Sequence, residues 1–275
     1  MKKSLIHNKT VLVSGAIILI VVILSTLAPL LSHYNETAQD LAGRLMPPGN
    51  GHLFGTDELG RDVFTRIFYG TRISLFIALI PTSLAVLIGT IAGVCAASFK
   101  GATDFIIMRS ADIMLSIPGM LLSMVVLYTF GGSLSSVVIA LVLIEWGGIT
   151  RVVRTAALEI YENEYIEASV GIGAGRLRII FGHIIPNLIP TLIVLFTLNI
   201  PSSILAESTL SFLGIGIQPP LVSLGLMTGY SRQYLFLMPW LSLAPSGMVM
   251  LLVLSFNFLG DALRDILDPR RNSYG

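Results

Sequence analysis

The sequence has little charge. Asp, Glu, Lys and Arg make up 12% of its 275 residues, where a soluble globular chain carries about a quarter. Hydrophobic residues make up 54% and the mean hydropathy is +0.83, a composition suited to lipid rather than water as solvent. A net charge of +1 with no sizeable basic patch excludes a nucleic-acid binder. The single cysteine, Cys95, cannot form an intrachain disulfide and leaves the redox compartment open. His7, His33, His52 and His183 give no zinc-site spacing with it, so no metal site is expected. There is no G-x-x-x-x-G-K-[ST] loop to bind ATP and no G-x-S-x-G elbow. An intramembrane hydrolase would need a nucleophile and a base facing each other at midplane, and no convincing pair is present. The chain is expected to be no enzyme and to hold no cofactor of its own.

The long apolar runs are what the sequence does have. A helix needs about 20 mainly apolar residues to cross the hydrocarbon core. Val11 to Leu31 and Ile73 to Phe99 qualify, followed by Ile113 to Phe130, Leu134 to Thr150, Leu188 to Leu213 and Leu241 to Leu259. The expectation is an all-α membrane protein with about six transmembrane helices. Only Gly131-Gly132-Ser133 separates the third from the fourth, and a re-entrant pair there would leave both termini on one side. With the N-terminus inside, the cytoplasmic segments hold twelve Lys and Arg residues against five outside, which favours both termini in the cytoplasm. The first run follows Lys2, Lys3 and Lys9 but is longer than a signal peptide's apolar region of about 7–15 residues, and no clear small-x-small site closes it. It reads as an uncleaved signal anchor.

Between the fourth and fifth runs lies a polar segment. Tyr161, Tyr165, Ala168 and Ile172 recur at i, i+4, i+7 and i+11, one face of a helix, while Glu159, Glu162, Asn163 and Glu167 lie largely off it. Gly171, Gly173 and Gly175 break the helix, and a second short helix is expected from Arg176 to Ile185. Such a hairpin either enters a partner's groove or lies on the lipid surface. Surface helices usually carry a Lys/Arg-rich polar face, and this one is acidic. His183, beside Pro186, is expected in a helix-terminal hydrogen bond, and Arg109 with Asp112 in an interfacial ion pair.

The first outer loop holds Thr56 as a helix N-cap candidate, with Asp57 and Glu58 at the positive end of the helix dipole. Asp57, Glu58 and Asp62 beside Arg61 and Arg66 point to salt bridges rather than to a metal. Glu145 and Glu207 fall inside apolar runs, where a charge costs about 2.5–3.5 kcal/mol at a helix centre. Either they line a translocation path, or they are hydrogen-bonded in packing, Glu207 close to the outer interface and Glu145 near the inner one.

Glu167-Ala168-Ser169, Gly173 and Ile185-Pro186 resemble the EAA loop of bacterial ABC importer permeases, with Ser169 for the second alanine and Ile185 for the leucine. Gly55-Thr56-Asp57, Leu59-Gly60-Arg61-Asp62 resembles the signature of the C-type subunit of dipeptide, oligopeptide and nickel importers, with Phe54 for the usual leucine. Trp146 with Arg151 to Arg154, Ala206 to Gly216 with Gln218-Pro219-Pro220, and Phe256 to Asp265 with Asp268-Pro269-Arg270 resemble the same branch, with Leu224 for its tryptophan. The resemblance covers residues 10 to 271.

It implies the type I ABC importer permease architecture in the bacterial cytoplasmic membrane, with residues 158 to 182 as the coupling helix in a cleft of a cytoplasmic ATPase. Tyr161, Tyr165, Glu167, Ala168, Ser169, Gly173, Ile185 and Pro186 would carry that contact. The implied partners are a second permease in a heterodimer, two ATP-binding subunits that hold ATP and Mg, and an extracytoplasmic solute-binding protein. The implied action is alternating access for dipeptides, oligopeptides, nickel or a metal chelate. The expected organisation is an anchor helix and outer loop over 1–72, a core permease domain over 73–260 that includes the cytoplasmic coupling loop at 151–185, and a cytoplasmic tail over 261–275. A passive channel and a non-transporting assembly or receptor subunit are the alternatives from other classes.

Overall fold

The computed structural model describes residues 8–32, 34–49 and 51–267. Lys2, Lys3, His7, His33 and the Asp268-Pro269-Arg270 tail lie outside the described residues. The described chain is helical, with only the isolated bridges Gly49–His52 and Thr56–Asp62 in extended pairing. Among the described residues, five helices are long and apolar enough to cross a membrane, or six if one bent pair counts as a span. That agrees with the all-α reading.

The first span, α1 (Lys9–Thr26), starts at the N-cap Asn8, whose Oδ1 accepts from the Thr10 amide. A single-turn helix α2 (Ala28–Leu31) follows, with Pro29 in its first turn. The second span, α3 (Val63–Phe99), begins well before the expected Ile73. Its cap is Asp62, whose Oδ2 accepts from the Thr65 amide at 2.8 Å. Thr56, the expected cap, is instead buried in the preceding loop. Its hydroxyl donates to the Gly43 carbonyl at 2.5 Å and accepts from the Met46 amide at 2.8 Å.

The expected third span does not run straight from Ile113 to Phe130. Helices α4 (Gly101–Ser116) and α5 (Gly119–Phe130) meet at 88° across Ile117-Pro118. Pro118 lacks an amide hydrogen and disfavours a helical residue before it, so the helix must end there. The fourth span, α6 (Leu134–Tyr161), continues past Thr150, and its basic residues find partners on α4. Arg154 clamps Asp104 with two bonds of 2.6 Å, and Arg151 bonds Asp112, which Arg109 also approaches at 3.5 Å.

The polar hairpin comprises α7 (Glu164–Gly171) and α8 (Arg176–Ile179). A π turn at Ile180–Ile184 then leads directly into α9 (Ile185–Phe212), so the second short helix is continuous with the fifth span. A short helix α10 (Leu224–Ser231) folds back at the far end, and α11 (Pro239–Leu267) closes the bundle. Helix α11 passes residue 260, so the expected tail from 261 begins within it.

One buried cluster packs Val63, Ile67, Leu75, Ile204 and Leu224 toward the end that bears the 34–62 loop. Another packs Ala97, Val153, Ile166, Ile180 and Ile184 under the hairpin. Between spans there is no hydrophobic drive in lipid, so close approach of small residues carries the association. At Gly93 on α3 a Cβ would lie 2.7 Å from the Thr150 carbonyl oxygen and 2.9 Å from the Arg154 amide nitrogen of α6. Gly89, one turn earlier, meets Ile149 in the same way. Overpacking costs about 1–3 kcal/mol, so Gly93→Leu is expected to lower the melting temperature of the detergent-purified protein by several degrees. Gly15→Leu, where a Cβ meets nothing within 4 Å, should leave it unchanged. Equal melting of both variants would refute the packing account.

Candidate functional site

The hairpin is held from behind by two apolar anchors, Ile166 of α7 and Ile179 of α8. Ile166 is 1% exposed and packs under the hairpin against the span ends, a burial that contributes about 1.5–3 kcal/mol. The turn after α7 is a Schellman motif: the Ala174 amide donates to the Ser169 carbonyl at 3.0 Å and the Gly173 amide to Val170 at 2.9 Å. Gly173 sits at φ +85°, in the left-handed region this motif requires and a side chain resists. Behind the turn, Arg176 stacks over the Phe99 ring at 5.1 Å and ties α8 to the end of α3.

The outward face is apolar and unpartnered among the described residues. Ile172 is 89% exposed, and Tyr165, Ala168, Val170, Leu177 and Phe181 are exposed with it. Glu167 is exposed and, with Glu164, lies in the first turn of α7. The Ser169 hydroxyl donates to the Tyr165 carbonyl at 2.7 Å, and the Tyr165 hydroxyl accepts from Asn187 at 3.3 Å. The Tyr165 ring stands 5.9 Å from that of His183, whose carbonyl also accepts from Asn187. Ile185 is half-buried at the base of α9 and Pro186 is exposed in its first turn.

Tyr161 is placed differently from the other residues of the expected face. It is half-buried and donates its hydroxyl to Ser98 on α3 at 2.9 Å. The i, i+4 count ran through Glu162-Asn163, where the chain leaves one helix and starts another. Val170, Leu177 and Phe181 were not anticipated as part of the exposed face.

At the opposite end, the 55–62 motif folds around Asp57. Its Oδ1 accepts from the amides of Leu59 and Arg61, and its Oδ2 pairs with Arg61 at 2.7 Å and Arg66 at 3.3 Å. Arg61 also reaches Glu58 at 3.2 Å. Asp62 takes His52 Nδ1 at 2.8 Å besides capping α3. Gly55 and Gly60 both have positive φ, and a Cβ at Gly60 would overlap the Asp40 carbonyl. Asp57 and Glu58 make the salt bridges the charges implied, whereas Asp62 pairs with His52 and with neither arginine.

The two intramembrane carboxylates lie at different depths. Glu207, on the last turns of α9, is 0% exposed. It accepts from Ser211 at 2.7 Å and Ser74 at 3.4 Å. The same two hydroxyls accept from the amides of Ile217 and Leu224, so one carboxylate organises the fold-back of α10. Glu145 lies within α6, six residues before Arg151, where the basic end of that helix begins. It accepts from Ser203 of α9, which in turn meets Thr82 of α3 at 2.8 Å. Its Oε2 is buried without a hydrogen-bond partner among the described residues. Which serines and threonines meet the two glutamates was not legible, because all of them sit in apolar runs.

The family model described as binding-protein-dependent transport system inner membrane component matches residues 85–273. A second, described as the N-terminal TM domain of oligopeptide transport permease C, matches residues 1–48. The oligopeptide transport system permease protein OppC of Bacillus subtilis is 37% identical, over 96% of this chain and 86% of its own. The dipeptide transport system permease protein DppC of Haemophilus influenzae is 39% identical, over 96% of this chain and 92% of its own. Among solved structures, a chain of the inward-facing MetNI methionine ABC transporter superposes with a TM-score of 0.61 at 20% identity, covering 74% of this chain and 97% of that one. A chain of an amino acid ABC transporter gives 0.57 at 13% identity, over 74% and 94%.

The Glu207 network yields a test. Removing the carboxylate leaves the buried hydroxyls of Ser211 and Ser74, which themselves accept from the Ile217 and Leu224 amides, without their acceptor, at about 1–3 kcal/mol for each group stranded. Glu207→Leu is expected to open the 213–223 segment to limited proteolysis and lower the melting temperature, with Glu207→Gln intermediate. An unchanged cleavage pattern in Glu207→Leu would sink the organising role.

Proposed function

The chain belongs to the family of binding-protein-dependent transport system inner membrane components and is a multi-pass permease component of an ABC importer, and on that premise we propose that it passes dipeptides or oligopeptides inward by alternating access. The observation that carries the mechanism is the exposed apolar face from Tyr165 to Phe181, held rigid from behind by Ile166 and the Gly173 turn. A face of that kind suits a groove in a partner subunit, where an amphipathic helix lays its apolar side. In this reading the partner is one of two ATP-binding subunits, which hold the ATP and Mg, and Glu167, Ala168 and Ser169 sit at the contact.

A second permease completes a heterodimer, and an extracytoplasmic solute-binding protein delivers cargo at the end that bears the 34–62 loop. Both termini are cytoplasmic, which the distribution of Lys and Arg favours. The relatives named for oligopeptides and dipeptides weigh toward peptides over nickel or a metal chelate.

Two grooves open along α9. One of about 470 Å³ is lined by Asn187, Thr191, Leu198 and Arg264 toward the hairpin, and one of about 220 Å³ by Ser208, Thr209, Thr228 and Ser246 toward the other end. Leu198, which lines the first, packs against Gly260 of α11. We assign Glu207 to packing and Glu145, with its unpartnered oxygen, to the path.

The experiment is co-purification of the tagged chain from its native membrane with mass spectrometry of what accompanies it. Two ATPase subunits and a second permease are expected. Ile172→Asp combined with Glu167→Lys should reduce the recovered ATPase at least tenfold, about 1.4 kcal/mol, while leaving membrane insertion intact. Recovery of the chain alone or as a homo-oligomer would overturn the importer reading in favour of a channel or assembly subunit.

A further inference from the structure

An apolar groove of about 540 Å³ runs between α1 and α11, away from the hairpin, the outer loop and the two α9 cavities. Its volume lies within the ~300–1,000 Å³ of small-molecule sites. One wall is Val13 and Ile17 of α1, and the other is Leu251, Leu254 and Phe258 of α11. The floor is made by two small residues, Ser14 and Ser255, each 3% exposed. Neither hydroxyl is offered to the groove: Ser14 donates to the Thr10 carbonyl at 2.6 Å and Ser255 to the Leu251 carbonyl at 2.7 Å. Beyond Lys9 and Thr10 at its end the interior is therefore lined by carbon, and the nine residues from Lys9 to Ile17 span about 12 Å at 1.5 Å per step. That is close to half of the ~30 Å hydrocarbon core.

The groove ends at Lys9, which is exposed and has no hydrogen-bond or ion-pair partner among the described residues. Lys9 also opens α1, where the positive end of the helix dipole adds to its charge. An apolar slot one leaflet deep with a cation at the interface matches a molecule with an acyl chain and an anionic head.

We propose that the α1–α11 groove is a binding site for one anionic phospholipid, its acyl chain lying on Ser14 and Ser255 and its phosphate paired with Lys9. The lipid fills the space that the two serines leave between the helices and so fixes α1 against α11. The site is independent of what the permease carries and rests only on α1 and α11 lying in a bilayer.

The test uses the full chain with its co-purifying partners, placed in phosphatidylcholine nanodiscs containing a photoactivatable phosphatidylglycerol or, separately, a photoactivatable phosphatidylcholine. Crosslinked peptides from residues 9–17 and 251–258 are expected at least fivefold more often with phosphatidylglycerol, the preference one lysine gives at an anionic surface. Lys9→Gln should abolish the preference, and Ser14→Leu with Ser255→Leu should block labelling by both lipids while Lys9→Gln keeps the wild-type melting temperature. Equal labelling by the two lipids, a preference that survives Lys9→Gln, or crosslinks from these residues to a partner polypeptide would each overturn the proposal. None of these outcomes depends on whether the complex contains ATPases or moves peptides.

Discussion

A hydrocarbon interior offers no water to satisfy a polar group, and the arrangement of this protein follows from that constraint. Serine and threonine hydroxyls in the spans return to carbonyls three or four residues back, as at Ser14, Thr71, Thr150 and Ser255. Other hydroxyls meet a carboxylate: Ser74 and Ser203 reach one on a neighbouring helix, and Ser211 reaches Glu207 one turn back on its own. The basic residues of α6 beyond its apolar run are paired, Arg154 with Asp104 and Arg151 with Asp112.

The two ends of the bundle are built for different tasks. At one end, Asp57, Arg61, Arg66, His52 and Asp62 satisfy one another, and the backbone at Gly55 and Gly60 leaves no room for a side chain. That loop is closed on itself. At the other end, the hairpin attaches through two buried isoleucines, Ile166 and Ile179, and turns much of its remaining apolar surface outward.

Much of this was legible in the sequence. The apolar runs located the spans, the Arg109–Asp112 pair and the salt bridges around Arg61 were visible from charge spacing, and the glycine at 173 marked the turn. The misplacements have physical causes. Thr56 and Asp62 are both good caps, and the choice fell to Asp62 because the Thr56 hydroxyl is taken by Gly43 across the loop. Tyr161 fits the helical period of the hairpin, but a period has no meaning across the break at Glu162-Asn163. Hydropathy ran through Pro118 because the scale measures apolarity and not backbone geometry.

The junction between hairpin and span has a mechanical consequence. From Arg176 to Phe212 the backbone is helical without a loop, through the π turn at Ile180–Ile184. At about 1.5 Å per residue its contour is about 55 Å, with Leu177 and Phe181 near one tip and Glu207 near the other. The π turn and the prolines at 190 and 201 interrupt its hydrogen-bond ladder. A push at the hairpin tip therefore meets its first compliant joint within a turn of Phe181, and two more before it reaches the serine cage around Glu207.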